Sequence, residues 1–147
     1  MISTSPFTWR RRVGMADVDA WGIVWYGNYW VYCDEARAEL LRAFDLAPAS
    51  FLALELRPVV VELDGRYLLP ARYDEEIDVH VHVSPPRGAR LPFQFEIRRT
   101  ADATPLARLS TTMVLLRPTG ELVYLMPESV RAPLERLLAA QAAKESA

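Results

Sequence analysis

In the stretch "NYWVYCDEARAELLRAFD", Asn28 to Asp45, Tyr29, Cys33, Ala36, Leu40 and Phe44 recur at spacings of three and four residues. That repeat marks one buried face of an α-helix. Asp34, Glu35, Ala38, Glu39 and Arg42 fall on the opposite, wetter face. Asn28, with its short polar side chain, suits the N-cap, and Pro48 ends the helical region. Trp30, Val31 and Leu41 are apolar but lie outside the stripe, so this helix is expected to be covered on more than one side.

The flanking segments read as strands. Before the helix, Trp9, Arg11, Val13 and Met15 alternate with Arg10, Arg12 and Gly14, which predicts a strand from Thr8 to Ala16. After it, Val59 to Arg117 reads as antiparallel sheet. Val59 to Leu69 is apolar on both faces apart from Glu62, Asp64 and Arg66, with Gly65 a candidate bulge. In "EIDVHVHV", Ile77, Val79, Val81 and Val83 point inward and Asp78, His80 and His82 outward. Pro85, Pro86 and Gly88 turn the chain. Leu91, Phe93, Phe95 and Ile97 share the next inner face, and Leu106 to Arg117 forms the last strand. The chain closes on a short amphipathic helix from Pro127 to about Ala143, using Leu134, Leu137 and Leu138. The tail "AAQAAKESA" offers little to bury. A sheet that follows one long helix can wrap its apolar face around it. The expected class is therefore α+β, a curved antiparallel sheet around one central helix, with a second subunit covering what one sheet cannot.

The 147 residues fit one domain, with a core of about 8–125 and a C-terminal helix and tail of about 127–147. A net charge of −2 makes no electrostatic case for nucleic acid or an anionic membrane. The single cysteine, Cys33, excludes an internal disulfide and a thiolate metal cluster. No apolar run approaches the ~20 residues of a membrane span. "MISTSPFTWRRR" lacks the apolar core of a secretory signal, so the expected location is the cytoplasm. His80 and His82 stand two apart on one strand face, but no third ligand accompanies them. They read as surface residues, and no metal is expected.

Just before the helix, "DVDAWGIVWYGNYW", Asp17 to Trp30, sets two carboxylates against an aromatic and apolar run. A solvated turn explains Asp17. It explains Asp19 less well, because Ala20, Trp21, Ile23, Val24, Trp25, Tyr26, Tyr29 and Trp30 leave little water nearby. Asp17, Asp19, Gly22, Ile23, Val24 and Tyr29, followed by Asp34-Glu35-Ala36-Arg37, resemble the signature of the 4-hydroxybenzoyl-CoA thioesterase family. "RYLLPARYDEEIDV", Arg66 to Val79, resembles that family's strand-turn-strand. The resemblance spans most of residues 8–117. It implies a hotdog fold and hydrolysis of an acyl-CoA thioester, with Asp19 as the catalytic carboxylate. Coenzyme A would enter as part of the substrate, with no separate cofactor.

The chemistry of these residue types suits that implication. A carboxylate beside a helix start can attack a thioester carbonyl or activate water. Backbone N–H groups around Tyr26, Gly27 and Asn28 are expected to lack helical partners and to hold the carbonyl oxygen. Gly27 allows close approach to the backbone. Trp21, Trp25, Tyr26 and Tyr29 are candidates for the acyl pocket or, alternatively, for core and subunit packing. Asp19 has a rival role as a turn cap. Asp34 or Glu35 could supply the carboxylate, although their wet face suits an ion pair better. Arg87 and Arg90, in the loop after the proline pair, are candidates for the phosphates of coenzyme A.

Two departures narrow the reading. Many bacterial relatives acting on short aliphatic thioesters carry His where this chain has Tyr26, and "GIVWYGNY" is closer to the aryl-CoA enzyme, so an aromatic acyl group is expected. "SPPRGARLP" replaces the relatives' coenzyme loop. A homo-oligomer, dimer or tetramer, is implied. The alternatives are an acyl-carrier-protein thioesterase and a hotdog protein that binds acyl thioesters without cleaving them. A hotdog dehydratase would need a His in the pocket, and none is near the motif.

Overall fold

A computed structural model describes residues 7–147, so the expectation for the first six residues lies outside what is described. The elements are β1 (Phe7–Arg12), α1 (Asn28–Ala43), α2 (Pro48–Ala53), β2 (Arg57–Tyr67), β3 (Glu76–Val83), β4 (Leu91–Arg99), β5 (Pro105–Leu116) and α3 (Glu128–Glu145), with one 3-10 turn at Met15–Asp17. The five strands form a single antiparallel sheet in the order β1-β3-β4-β5-β2. Its concave face wraps α1. Ile77, Val79, Val81, Phe93, Phe95 and Ile97 are fully buried against the helix residues Tyr32, Cys33, Ala36 and Leu40. This is the α+β architecture of one helix inside a curved sheet that the periodicities predict.

Several boundaries differ from expectation, each for a local reason. The first strand ends at Arg12 and is followed by the 3-10 turn, in which Asp17 accepts the Gly14 N–H at 2.8 Å. Gly27, not Asn28, occupies the N-cap, so α1 begins without a side-chain cap. Asn28 instead donates its side-chain Nδ2–H to the Asp17 carbonyl at 2.8 Å. Pro48 does not merely end a helix; it sits at the first position of α2, where its missing N–H costs nothing. The bulge in β2 falls between Val60 and Glu62, while Gly65 pairs in register with Leu109. Gly65 is needed for space: a Cβ there would stand 2.3 Å from Leu109 and 3.1 Å from the Trp30 ring.

The C-terminal segment is longer and better anchored than its composition suggests. α3 runs 18 residues to Glu145, with Val130, Leu134, Leu137 and Gln141 buried. Gln141 accepts the Val83 N–H at 2.9 Å and donates to the Val83 carbonyl at 2.8 Å, so one side chain imitates a neighbouring strand. The imidazole of His82 lies 3.0 Å from Glu145 and 3.1 Å from Gln94.

The sheet's outer face is polar. Thr8, His80, Glu96, Arg108 and Arg66 lie in one cross-strand row. Glu96 is 1 % exposed, held by Arg108 Nε at 2.8 Å and by Arg98. Burial works against its charge, but the two arginines win and hold its carboxyl below the ordinary range. His80 bonds Thr8 Oγ1 at 2.9 Å, and burial together with Arg98 lowers its pKa. Among the described residues no cluster of three or more metal-ligating side chains occurs, and no helix is long and apolar enough to cross a membrane.

Candidate active site

The motif Asp17 to Gly27 folds back on the start of α1 as a tight hairpin. Val18 and Val24 form an isolated bridge, the Asp19 N–H donates to the Ile23 carbonyl at 2.9 Å, and the Gly22 N–H donates to the Asp19 carbonyl at 3.0 Å. Gly22 carries φ +76, a left-handed conformation that glycine adopts without strain. The returning limb pairs with the segment before β3, through Val24 N–H to the Ala71 carbonyl and an Ile23–Arg72 bridge. Tyr29 ties the same segment to α1, its hydroxyl accepting the Ala71 N–H at 3.0 Å.

The four candidate carboxylates are now distinguishable by their partners. Asp17 lies 3.4 Å from Arg11 and caps the 3-10 turn. Glu35 takes Arg11 Nη1 at 2.6 Å, and Asp34 pairs with Arg37. Asp19 has no cationic partner among the described residues. Its Oδ1 accepts the Trp21 N–H at 2.8 Å, which is the turn-capping bond, and its second oxygen makes none. It lies close enough to the buried Tyr29 hydroxyl to work against that phenol's ionisation, although desolvation is the larger cause of its raised pKa. The nearby Tyr32 hydroxyl is buried without a hydrogen bond, and desolvation and the Asp17 carboxylate hold it protonated.

The helix start supplies two of the three expected donors. Asn28 N–H is not available, because it closes a turn onto the Trp25 carbonyl at 2.9 Å. The N–H groups of Tyr26 and Gly27 have no acceptor among the described residues. They lie at the positive end of the α1 dipole, where developing negative charge is stabilised. The Cα side of Gly27 is filled: a Cβ there would stand 2.1 Å from the Trp25 ring, so the glycine makes room for the indole and not, on that side, for a ligand. Trp25 and Tyr26 rings touch at a centroid distance of 4.9 Å.

The aromatic residues do not close a pocket in one chain. Trp21 is 82 % exposed, Tyr26 64 % and Trp25 48 %, while Tyr29 is buried and packs edge-on to Tyr67. Arg87 and Arg90 are exposed and line a recess of about 280 Å³ on the sheet's outer face with Ser84, Gln94 and Thr112. Arg90 is paired with Glu62, whose carboxyl it holds below the ordinary range. Both arginines stand at the opposite end of β3 from the motif, roughly 25 Å away at ~3.3 Å per residue. A feature that sequence reasoning missed is Arg37, which is 7 % exposed, bonds Thr111 Oγ1 at 3.1 Å and lies over the Phe93 ring. It borders an apolar recess of about 380 Å³ between α1, α2 and the start of β2, away from Asp19. Its spacing, four residues after Cys33 on the buried stripe, was the available signal.

Comparison with known proteins places this geometry in a family. The acyl-CoA thioester hydrolase YbgC of Escherichia coli is 27 % identical over 135 residues, covering 92 % of this chain and all of that one. The crystal structure of a hypothetical protein from Aquifex aeolicus superposes with a TM-score of 0.81 at 28 % identity, covering 88 % of this chain and 99 % of the other. A 1,4-dihydroxy-2-naphthoyl-CoA thioesterase from Synechocystis shares the fold at a TM-score of 0.80 and 22 % identity, over 90 % and 95 % of the two chains. The sequence pattern of the Thioesterase-like superfamily matches residues 13–134, from the end of β1 to the middle of α3. With its hairpin, helix start and four of the five strands inside that match, the chain belongs to the Thioesterase-like superfamily of hotdog proteins.

Proposed function

We propose that the chain hydrolyses acyl-CoA thioesters, with Asp19 as the acting carboxylate. The observation that carries this is the pairing pattern. Asp17, Asp34 and Glu35 each have an arginine, whereas among the described residues Asp19 keeps one oxygen without a partner beside a helix start with two unpaired N–H groups. The E. coli relative is named an acyl-CoA thioester hydrolase, which supports the reaction class.

In this reading the thioester carbonyl oxygen accepts the Gly27 and Tyr26 N–H groups. Asp19 either takes the proton of an attacking water or attacks the carbonyl itself, giving a mixed anhydride that water then cleaves. The tetrahedral oxyanion is held by the same amides. Collapse breaks the C–S bond, and the coenzyme leaves as a thiolate that picks up a proton from solvent. A single turnover in ¹⁸O water identifies the covalent route where label stays on the protein, which requires attack by Asp19 with anhydride opening at the enzyme carboxyl. Labelled acid is given by direct water attack and by opening at the acyl carbon alike, and trapping of the anhydride by hydroxylamine then distinguishes those two. The acyl group in this reading is aromatic, because Trp21, Trp25 and Tyr26 present rings beside the carbonyl site.

The active unit is a homo-oligomer. β2 has one free edge, and Val60, Val61 and Leu63 are exposed along it. β2 runs Arg57–Tyr67, with Glu62, the partner of Arg90, at its middle and Tyr67 at the end near the motif. Pairing of β2 with its copy through the free edge is the assembly in this reading.

The test is thiol release from benzoyl-CoA, 4-hydroxybenzoyl-CoA, butyryl-CoA and octanoyl-CoA. Asp19→Asn is expected to cut kcat by ~10²–10⁴ with the fold unchanged, and Asp17→Asn far less. Equal activity in Asp19→Asn would sink the assignment, and the reverse ranking would move the role to Asp17. No thiol release from any of the four, with tight binding of the intact thioesters, would make the protein a binder.

A further inference from the structure

We infer that Tyr67 is a positioning residue that aims the Gly27 N–H at the thioester carbonyl through the Tyr26–Gly27 peptide bond. The Tyr67 hydroxyl donates to the Tyr26 carbonyl at 2.9 Å and accepts the Trp30 Nε1–H at 3.1 Å. The peptide is trans, so its C=O and N–H share a plane and point in opposite directions. Tethering the carbonyl of Tyr26 to β2 therefore fixes where the Gly27 N–H points. The inference rests on the proposal that this N–H receives the substrate oxygen.

Three features set this contact apart from an ordinary surface tyrosine bond. Tyr67 is 47 % exposed, so water could satisfy its hydroxyl; instead both its proton and a lone pair are used by residues flanking the helix cap. Its ring is held by edge-on contacts with Tyr29 at 5.2 Å and Tyr26 at 6.5 Å, so packing sets the direction of the phenol. Gly27 has no side chain to hold its peptide, and glycine has more backbone freedom to lose than any other residue. A tether from the next element restores what the glycine gives up.

The bonds also run head to tail. The Trp30 indole Nε1–H donates to the Tyr67 hydroxyl oxygen, whose proton goes to the Tyr26 carbonyl, and the amide continues to the Gly27 N–H. Each link polarises the next, and an amide whose carbonyl accepts a hydrogen bond is the stronger donor. The oxyanion is a better acceptor than the ground-state carbonyl, so the gain falls in the transition state.

Tyr67→Phe keeps the ring and its two aromatic contacts and removes the oxygen alone. The expected result is a fall in kcat of about tenfold with KM changed less than about twofold. Trp30→Phe is expected to cost about threefold. The double variant should lie within about twofold of Tyr67→Phe, because an upstream link has no effect once the chain is cut. The thermal midpoint of each variant is measured alongside, and a kcat loss that tracks the unfolded fraction would reduce Tyr67 to a structural bond. In the Asp19→Asn background, which holds the intact thioester, the carbonyl stretch of bound [1-¹³C]benzoyl-CoA is recorded. A lowered stretch that relaxes on adding Tyr67→Phe supports the inference. A lowered stretch that does not relax, with kcat unchanged, overturns it and leaves Gly27 as the donor. No lowering in Asp19→Asn itself would overturn both.

Discussion

Glu96→Gln tests whether the polar row on the outer sheet face holds the strands together. The carboxylate is 1 % exposed and is met by Arg108 at 2.8 Å and by Arg98. Glutamine fills the same volume but offers one acceptor, so its N–H₂ group must face one of the guanidinium groups. Removing one member of a fully buried ion pair costs about 3–5 kcal/mol. Arg98 and Arg108 are 31 % and 48 % exposed, so water recovers part of that loss. The expected cost is about 2–3 kcal/mol, which lowers the thermal midpoint by roughly 4–12 °C in a chain of this size. The pH dependence gives a second reading. The Glu96 pKa is depressed below its ordinary value of 4.5. Its contribution is therefore complete above the unfolded value and is lost as pH falls through the folded one. Urea titrations at pH 7 and at steps below pH 4.5 should show the two proteins converging as the pH drops. A difference under ~0.5 kcal/mol at pH 7, or one that stays constant down to the acid limit, would refute the argument.

Three further outcomes follow from the same geometry. Gly27→Ala places a methyl 2.1–2.7 Å from three carbons of the Trp25 ring. The indole must swing away, and kcat should fall about tenfold or more while the midpoint moves by only a few degrees, because φ −67 suits alanine; full activity would show that the indole is not part of the site. Arg87→Ala with Arg90→Ala should raise KM several-fold for acyl-CoA and leave kcat alone. The effect should shrink at high salt and vanish for a thioester lacking the nucleotide, and an unchanged ratio between long and truncated substrates would make both arginines ordinary surface residues. Light scattering should give a mass above the 16.7 kDa of one chain, reduced to it by Leu63→Asp on the β2 edge; a fully active wild-type monomer would contradict the assembly.

Much of the fold was legible because burial repeats along the chain. The three- and four-residue stripe located α1, and strict alternation located β3 and β4 with every inward residue correct. What failed depended on partners distant in sequence. The bulge belongs to the Val60–Glu62 register against β5, and no local signal separates it from Gly65. Gln141 reads as a loose tail residue until Val83, 58 positions earlier, meets it. α2 was hidden because Pro48 suits a helix start as well as a stop. At the site, the motif singled out Asp19, but its pairing with no arginine is a three-dimensional fact. The aromatic residues looked like a pocket in the sequence, but Trp21, Trp25 and Tyr26 are exposed in one chain, because the tight hairpin turns their rings outward and only Tyr29 inward.

The Gln141 contact with Val83 bears on how such sheets can grow. A strand edge is a template, and a sheet with two usable edges can add copies without limit. Here the β1 side carries three successive arginines, and on the neighbouring strand β3 the Gln141 side chain has taken both backbone groups of Val83. The β2 side is long, apolar and uncovered. Charge along the first edge and apolar side chains along the second make β2 the edge better suited to receive another strand, so the two ends of the same sheet differ in their capacity to grow.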